Sequence, residues 1–468
     1  MKISNQTLEF SLEPTTGDLT GCRLTRRGNR NLIARKRAFV CIEDGVTETL
    51  VGDTEQPERC QVKSNREGIG VTKTFTQVPF DLRQQWCARD DEIDLLLTVR
   101  NRSSVQRSID LYFVVPLLDS NRHVFLAHSD APLAPDAFDQ KMYYYGGDQF
   151  RGETLRSLML PMVTVYQPEE DWGLSILAPV EDRKPLMQYM LLRNNARRSL
   201  VIKWCNLRLE GRGTYRVHLT FRAHAGDWRP ALQWIKEKYP DHFCVGSRSI
   251  YDSEGAMLCS TFQTGSNLKR WKRHGLAWQE LHANIFEAYG DYGQESKKQG
   301  WSPIINCFNT NLLTMEDIAD VEGGEFNLLF SGKKAPRVTR EMITNCLKRL
   351  KREGIASYIY INPVLCSRTL SDRFADSIAR RADGSTFSGY YRGCSMNPDP
   401  ELSWGQYLLR AAKHILATWP DCAGIFFDEI HYRHFDFAHD DGTTMVNNQP
   451  CYNLGFAMEK WFFSDFSG

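Results

Sequence analysis

The sequence predicts a multidomain β plus α/β protein, a large antiparallel β-sandwich followed by a partial (β/α) barrel of the TIM type. Three observations predict it. Residues 1–225 alternate apolar and polar side chains with period two between closely spaced Gly, Asn, Asp and Ser. At Gly226 the period changes to that of a helix. From Trp301 onward strand-like and helix-like segments take turns, the order that builds a parallel sheet.

Composition sets the outer limits. A chain of 468 residues exceeds one ordinary core, and two large domains account for it best. Hydrophobic residues at 42% and charged residues at 25% are those of a folded soluble protein. Lys and Arg (58) nearly balance Asp and Glu (57), so no global field recruits nucleic acid or an anionic membrane, and a neutral small-molecule partner is expected. The N-terminus lacks the apolar run of a signal peptide, and no stretch is long enough to span a bilayer. The 13 cysteines are scattered with no C-x-x-C, which argues against a disulfide framework or a zinc ribbon. They read as thiols in a cytoplasmic protein, acting mainly as small buried apolar residues.

In chain order, LEFSLEP, EIDLLLTVRNRSS and SIDLYFVVPLLD carry the strand alternation, and LVIKWCNLRL, the turn EGRG and TYRVHLTFRAH make a hairpin. These compose a sandwich over 1–225. GDWRPALQWIKEKYPDHF then places Trp228, Leu232, Ile235 and Tyr239 on one helical face, opening a helical linker over 226–300. Residues 301–468 read as the first half of the barrel. Thr339 is placed to cap a helix whose stripe is Met342, Ile343, Cys346, Leu347 and Leu350, and Gly354 to end it. The strand 355–361, a helix over 371–381, a polar hairpin at Asp383-Gly384, a helix over 402–419 and the strand AGIFFD follow.

Counted from Pro303, the strands are PIINCF, FNLLF, IASYIYI and AGIFFD. A closed barrel needs eight parallel strands and about 250 residues, more than 301–468 supplies. An unpaired parallel edge is a liability. The barrel is therefore expected to be unfinished, the chain a fragment rather than an open sheet.

In such a barrel the polar residues at the carboxyl ends of the strands share one mouth. Asn306, Asn309 and Asn311 follow the first strand, Asn362 and Arg368 the third, and Asp428, Glu429 and His431 the fourth. An apolar strand stopping abruptly in D-E-x-H is the most specific of these signals. A carboxylate there can stabilise or capture an oxocarbenium-like transition state. Asp428 is the preferred nucleophile, with Glu429 the alternative if the strand register shifts by one. Adjacent strand residues point to opposite faces, so Glu429 does not serve as the proton donor to Asp428. A retaining enzyme places that donor about 5–5.5 Å from the nucleophile, so it is expected from a segment this sequence lacks. The bland reading of the pair is a loop that caps a helix or meets an Arg. HYRHFDFAHDDG also admits a metal cluster on His431, His434 and Asp436, but its spacing matches no closed ligand motif, so no metal and no cofactor is assigned. His431 and Asp436 are alternatively placed to bond sugar hydroxyls. Tyr391 and Arg392, with Tyr390, lie in the polar stretch after the third strand and are candidates to line a subsite, as is Trp301; Trp404, opening a helix, reads as packing.

These residues carry a resemblance. LEFSLEPTTGDLTGCRL resembles the opening strands of the galactose-mutarotase-like supersandwich that precedes the catalytic barrel in many glycoside hydrolases, and HAGDWRPAL looks like the linker entry after it. The stretch from DGSTFSGYYRGCSMNPDP to AGIFFDEI resembles the third-to-fourth-strand region of α-galactosidase-type barrels. The resemblance implies a retaining glycosidase acting on a carbohydrate, with Asp428 matching the nucleophile and the acid/base on a later strand. The Lys- or Trp-rich flank usual beside that nucleophile is absent around FFDEIHY. Two other readings stay open: a non-catalytic carbohydrate-binding protein, and a metal-dependent hydrolase built on His431, His434 and Asp436.

Overall fold

A computed structural model describes residues 1–25, 31–32, 39–52, 57–65, 68–117, 123–127, 142–146, 158–182, 186–194, 197–243, 257–260, 272–273, 275, 277–281, 304–305, 337–338, 340–361, 363–366, 371–387, 394–427 and 435–463. The chain divides into two units: Met1–Phe243 with Asp440–Cys451, and Cys244–His439 with Tyr452–Gly468.

Alternation builds the first unit. In Phe80–Ala88 the side chains of Phe80, Leu82, Gln84 and Trp86 are buried and those between them are not. That strand belongs to an eight-stranded antiparallel sheet running, in spatial order, from His123–Leu126 through Thr214–His224 and Glu92–Asn101 to Arg59–Asn65. A second sheet is centred on Arg107–Leu117, which pairs with Phe39–Asp44 on one side and Arg197–Leu209 on the other. A three-stranded sheet, Lys2–Ser4, Leu8–Leu12 and Leu19–Leu24, completes the set. Aromatic rings join the three. Phe10 meets Trp86 edge-on at 5.5 Å and Phe221 at 5.1 Å, while Phe113 of the second sheet lies 5.9 Å from Phe221.

The helix predicted after Gly226 forms as α1, Arg229–Lys238. It packs Ala231, Trp234 and Ile235 into a cluster with Phe125, Met162, Tyr166 and Leu177, and Trp228 stacks on Phe125 at 4.5 Å. Trp234 also donates its indole N–H to Glu92 at 2.6 Å. The helix is thus part of the sandwich unit.

A late segment returns to this unit. Thr444–Val446 and Gln449–Asn453 form a hairpin whose turn residues Asn447 and Asn448 both take positive φ, 50° and 60°, the conformation a two-residue turn with native twist requires. Thr444 pairs with Leu207, Arg208 bonds Asp440, and Asn448 donates to the Gly45 carbonyl at 2.7 Å and accepts from the Ser108 N–H at 3.2 Å.

The second unit holds four parallel strands: β1 (Met257–Ser260), β2 (Trp278–Leu281), β3 (Ala356–Ile361) and β4 (Gly424–Phe427), adjacent in that order. Two of them precede the segment in which the sequence reading begins its count. Each is only four residues long, and the second follows a Lys-, Arg- and Trp-rich stretch that dilutes its apolar signal. Ile304–Ile305, read as the first barrel strand, instead pairs antiparallel with Arg337–Val338 outside this sheet. FNLLF and Thr339 lie outside the described residues.

Helix α2 (Arg340–Arg352) ends as its sequence predicts. Gly354 adopts φ +69°, and the Ile355 N–H reaches back to the Leu350 carbonyl at 2.9 Å. Its Leu347 and Leu350 join Ile355, Ile359 and Ile361 in the core. The predicted helix over 371–381 is a 3-10 stretch, Asp372–Ser377, with non-helical dihedrals at Phe374; Ile378 then turns extended and bridges Met396. The hairpin at Asp383-Gly384 forms, with Gly384 at φ +80°. Helices α3 (Ser403–Thr418) and α4 (Leu454–Phe463) follow, and Trp461 of α4 sets its ring edge-on to Phe427 at 4.9 Å.

One buried ion pair in the first unit makes a test of its packing. Lys73 Nζ lies 2.5 Å from Asp18 Oδ1, with both side chains 3% exposed or less. Asp18→Asn leaves an ammonium buried beside a neutral amide, so we expect a loss of about 3–5 kcal/mol in urea unfolding of the full chain. Asp18→Leu with Lys73→Met should recover most of it. An unshifted midpoint in the single variant would mean the pair is not desolvated.

Candidate active site

Parallel strands deliver their next residues to one edge. Ile361 of β3 is level with Phe427 of β4, and Leu281 of β2 with Ile359 of β3, so the segments after 281, 361 and 427 all leave at the carboxyl end of this sheet. Asn362 follows Ile361 directly in sequence, and Asp428, Glu429 and His431 follow Phe427. These four, with Asn306, Tyr391 and Arg392, lie outside the described residues, as do Asn309, Asn311, Arg368, His434, Trp301 and Tyr390. For Asn306 the strand-end argument does not hold, since the strand before it is antiparallel and outside the sheet.

The described residues of the connections that follow β3 and β4 form a polar frame. Its centre is Asp436, fully buried. Its Oδ1 accepts the backbone N–H of Arg380 at 3.0 Å and of Ala438 at 2.9 Å. Its Oδ2 accepts the amide of Asn397 at 3.1 Å and the Nδ1–H of His439 at 2.5 Å. Residues from the long β3–α3 connection, Arg380 and Asn397, thus share one carboxylate with Ala438 and His439 from the connection after β4. Asp436 bears on two readings that the sequence left open. Its lone pairs are committed to N–H donors, so it is no ligand for a sugar hydroxyl and no metal ligand. Among the described residues no group of three His, Cys, Asp or Glu is placed to hold a metal ion. Asp440 and Asp441 of the same run are likewise structural: Asp441 accepts the N–H groups of Thr443 and Thr444, at 2.8 and 2.7 Å.

A second node is Asp399. It accepts the Glu401 N–H at 2.7 Å, the Tyr452 hydroxyl, and the Lys460 ammonium at 3.0 Å, which ties the start of α3 to α4. Asp376 forms a third, accepting the Ser403 N–H at 3.1 Å and its hydroxyl, while Ser377 Oγ accepts the Trp404 N–H at 3.0 Å. The 3-10 stretch thereby caps α3 from outside. Trp404 is fully buried and donates to the Pro363 carbonyl at 2.7 Å, which bears out its reading as packing and removes it as a sugar platform.

Electrostatics follow from these contacts. The bond to Asp436 holds the His439 imidazole above its usual range, against the opposing effect of burial. Burial opposes ionisation of Asp399, but Tyr452, the Glu401 N–H and Lys460 outweigh it and hold the carboxyl below its usual range. Burial also opposes ionisation of Asp376, and the two Ser403 bonds outweigh it. Sequence reasoning found none of Ser377, Asn397, Asp399, Tyr452 or Lys460, because single polar residues beside Pro and Gly read as loop. The one usable signal was N-P-D at 397–399, between a strand and a helix.

No family model matches the sequence, and no curated protein matches it. Solved structures do. The α-N-acetylgalactosaminidase of Bifidobacterium bifidum aligns over 99% of this chain and 74% of its own, at 11% identity and a TM-score of 0.61. The α-galactosidase of Lactobacillus brevis aligns over 89% of this chain and 62% of its own, at 10% identity and a TM-score of 0.45. A galactose mutarotase-like protein from Lactobacillus casei aligns over 48% of this chain and 99% of its own, at 8% identity and a TM-score of 0.35. The chain therefore spans under two thirds of the length of the L. brevis enzyme and about three quarters of the B. bifidum enzyme. The fold resembles that of the B. bifidum enzyme, with an antiparallel β-sandwich unit followed by a unit built on a four-stranded parallel sheet. Among the described residues no helix is long and apolar enough to cross a membrane.

His439 gives a test of the frame. Its folded pKa is raised, so its contribution to stability is complete below the unfolded value of 6.5 and is lost as pH rises through the folded value. In NMR titration its imidazole should give up its proton above the ordinary range, and Asp436→Asn should bring the midpoint down. His439→Gln should accordingly cost more stability at pH 6 than at pH 9. Equal losses at both pH values would show that the ring is neutral in the folded protein.

Proposed function

We propose that this chain is a glycoside hydrolase acting on a neutral sugar, with an α-galactoside or α-N-acetylgalactosaminide as the first substrates to test and Asp428 as the nucleophile. One observation carries the reading: the fourth parallel strand ends at Phe427 on the carboxyl edge of the sheet, the edge where barrel enzymes keep their reacting groups, and an Asp-Glu pair comes next in sequence. The likeness in fold to the B. bifidum α-N-acetylgalactosaminidase supports the sugar class.

In this proposal the Asp428 carboxylate attacks the anomeric carbon, the C–O bond to the leaving group breaks, and water later releases the sugar from the ester. Asn362, Tyr391, Arg392 and His431 bind hydroxyls around the ring, and Glu429 takes the nucleophile's place if the register is shifted by one. No cofactor enters the reaction. Protonation of an ordinary leaving group calls for a second carboxyl, a role we assign to no residue of this sequence.

The test is chosen to dispense with that second group. Galactosyl fluoride and dinitrophenyl glycosides carry leaving groups acidic enough to depart unprotonated. Purified chain should release fluoride or dinitrophenolate and form an ester on the peptide containing Asp428, detectable by mass spectrometry. Asp428→Asn should lower the rate by about three orders of magnitude or more without changing the melting curve. If Glu429→Gln has that effect instead, Glu429 is the nucleophile. Should neither substrate react, the enzyme reading falls, and galactose binding by calorimetry would then support the carbohydrate-binding alternative.

A further inference from the structure

Cys366 and Cys394 lie opposite one another in a short antiparallel ladder, in which Leu365 pairs with Ser395 and Cys366 with Cys394. The ladder continues through the Met396 N–H, which donates to the Val364 carbonyl at 2.8 Å. Both cysteines are thiols in this structure, Cys366 fully buried and Cys394 at 7% exposure. Among the described residues they are the two cysteines that face each other across a ladder. Cys22 faces Phe10, Cys41 faces Tyr112, Cys60 faces Lys73, Cys87 faces Asp94, Cys205 faces Leu186 and Cys451 faces Thr444.

Directly opposed antiparallel residues have Cα atoms about 4.5–5.5 Å apart, inside the range a disulfide spans. Their Cβ atoms sit at the far end of what the bond prefers, so the cross-link forms with some adjustment of a two-residue ladder and is correspondingly easy to reduce. We propose that Cys366 and Cys394 form a reversible disulfide that staples the two ends of the stretch 367–393.

The position gives the bond its consequence. Cys366 comes five residues after the end of β3, and Cys394 comes three before Asn397, which donates to Asp436. Ser395 accepts the Ala379 N–H at 3.0 Å and Met396 bridges Ile378, so a staple here also fixes the 3-10 stretch that caps α3. The chemistry balances with a small disulfide as oxidant. The Cys394 thiolate attacks oxidised glutathione and expels one glutathione thiolate. Cys366 then attacks the mixed disulfide and expels glutathione from Cys394. Two protein thiols are oxidised, one glutathione disulfide is reduced, and the two thiol protons leave on the two glutathione molecules. Entry of the oxidant requires local opening of the ladder, and two residues per strand set a low threshold for that. A labile bond of this kind suits a reducing compartment in which structural disulfides do not persist. The inference is independent of which reaction the sheet edge performs.

The native full-length chain, equilibrated across a glutathione series, alkylated and digested with trypsin without reduction, decides the matter. Peptides 353–368 and 393–410, each carrying one of the two cysteines, should appear joined, and dithiothreitol should separate them. In the oxidised form amide exchange over 364–366 and 394–396 should slow about tenfold or more. Cys366→Ser and Cys394→Ser should each abolish both effects. The proposal fails if the two peptides stay alkylated while the half-buried Cys60 and Cys87 take up glutathione, or if each cysteine carries its own glutathione. It fails equally if Cys366 is found joined to a different cysteine. The linked-peptide measurement needs no variant, so a substitution that misfolds does not blunt it.

Discussion

A carboxylate with no access to water holds the strand-end region of the second unit together. Burying an isolated charge costs several kcal/mol, and a folded chain tolerates it only when hydrogen bonds saturate the oxygens. Asp436 meets that condition with four donors, two backbone N–H groups, one amide and one imidazole. The requirement works in both directions. Arg380, Asn397, Ala438 and His439 must all be brought to one point before the charge can be buried, and once buried it leaves none of them free to drift. A connection that departs after β3 and another that departs after β4 are thereby registered to each other, and the Phe437 N–H adds a bond to the Arg380 carbonyl at 2.9 Å.

This arrangement suits the chemistry proposed at the edge. Displacement at an anomeric carbon tolerates little error in the position of the attacking oxygen, so reacting groups on loops depend on a rigid support. Here the described residues on either side of 428–434 are held by their own partners. Phe427 ends a paired strand and rests against Trp461 of α4, and Phe435 and Asp436 pair with Asn453 and Tyr452. Asp399, joined to Tyr452 and Lys460, carries the same support into α4. Together these contacts define the anchors between which residues 428–434 run.

Periodicity made most of the fold legible. Strands such as Phe80–Ala88 bury every second side chain, and α2 stops at Gly354 for the reason its sequence displays. What periodicity misjudged was short or polar. Met257–Ser260 and Trp278–Leu281 hold too few residues to show a period, and Ile304–Ile305 is apolar enough to pass for a barrel strand while pairing antiparallel. The residues around Asp436 escaped for a different reason. A pattern of polarity reports whether a side chain prefers water, and Asn397, Ser377 and Asp399 have exchanged water for partners distant in sequence: Asp436, Trp404, and Tyr452 with Lys460. Asp436 itself was visible, but polarity alone cast it as a ligand. Of the candidate site, the strand-end logic that singles out Asp428 rests on β4 and its neighbours, while Asp428, Glu429, His431, Asn362, Asn306, Tyr391 and Arg392 lie outside the described set.

The charged nodes also fix the conditions under which this frame is complete. Asp376 and Asp399 have pKa values held below the usual carboxylate range, so their contributions are present once pH exceeds the unfolded carboxylate values and are lost as pH falls through the depressed ones. His439 has the opposite sign, its contribution being present at low pH and lost as pH rises through its elevated value. The two trends overlap in a window from just above the carboxylate range to the raised imidazole value. Inside it Asp376 and Asp399 are ionised, Asp399 against Lys460, and His439 is protonated against Asp436. The acid limit of the frame therefore belongs to Asp376 and Asp399, which lose their bonds on protonation, while its alkaline limit belongs to His439 alone among these nodes.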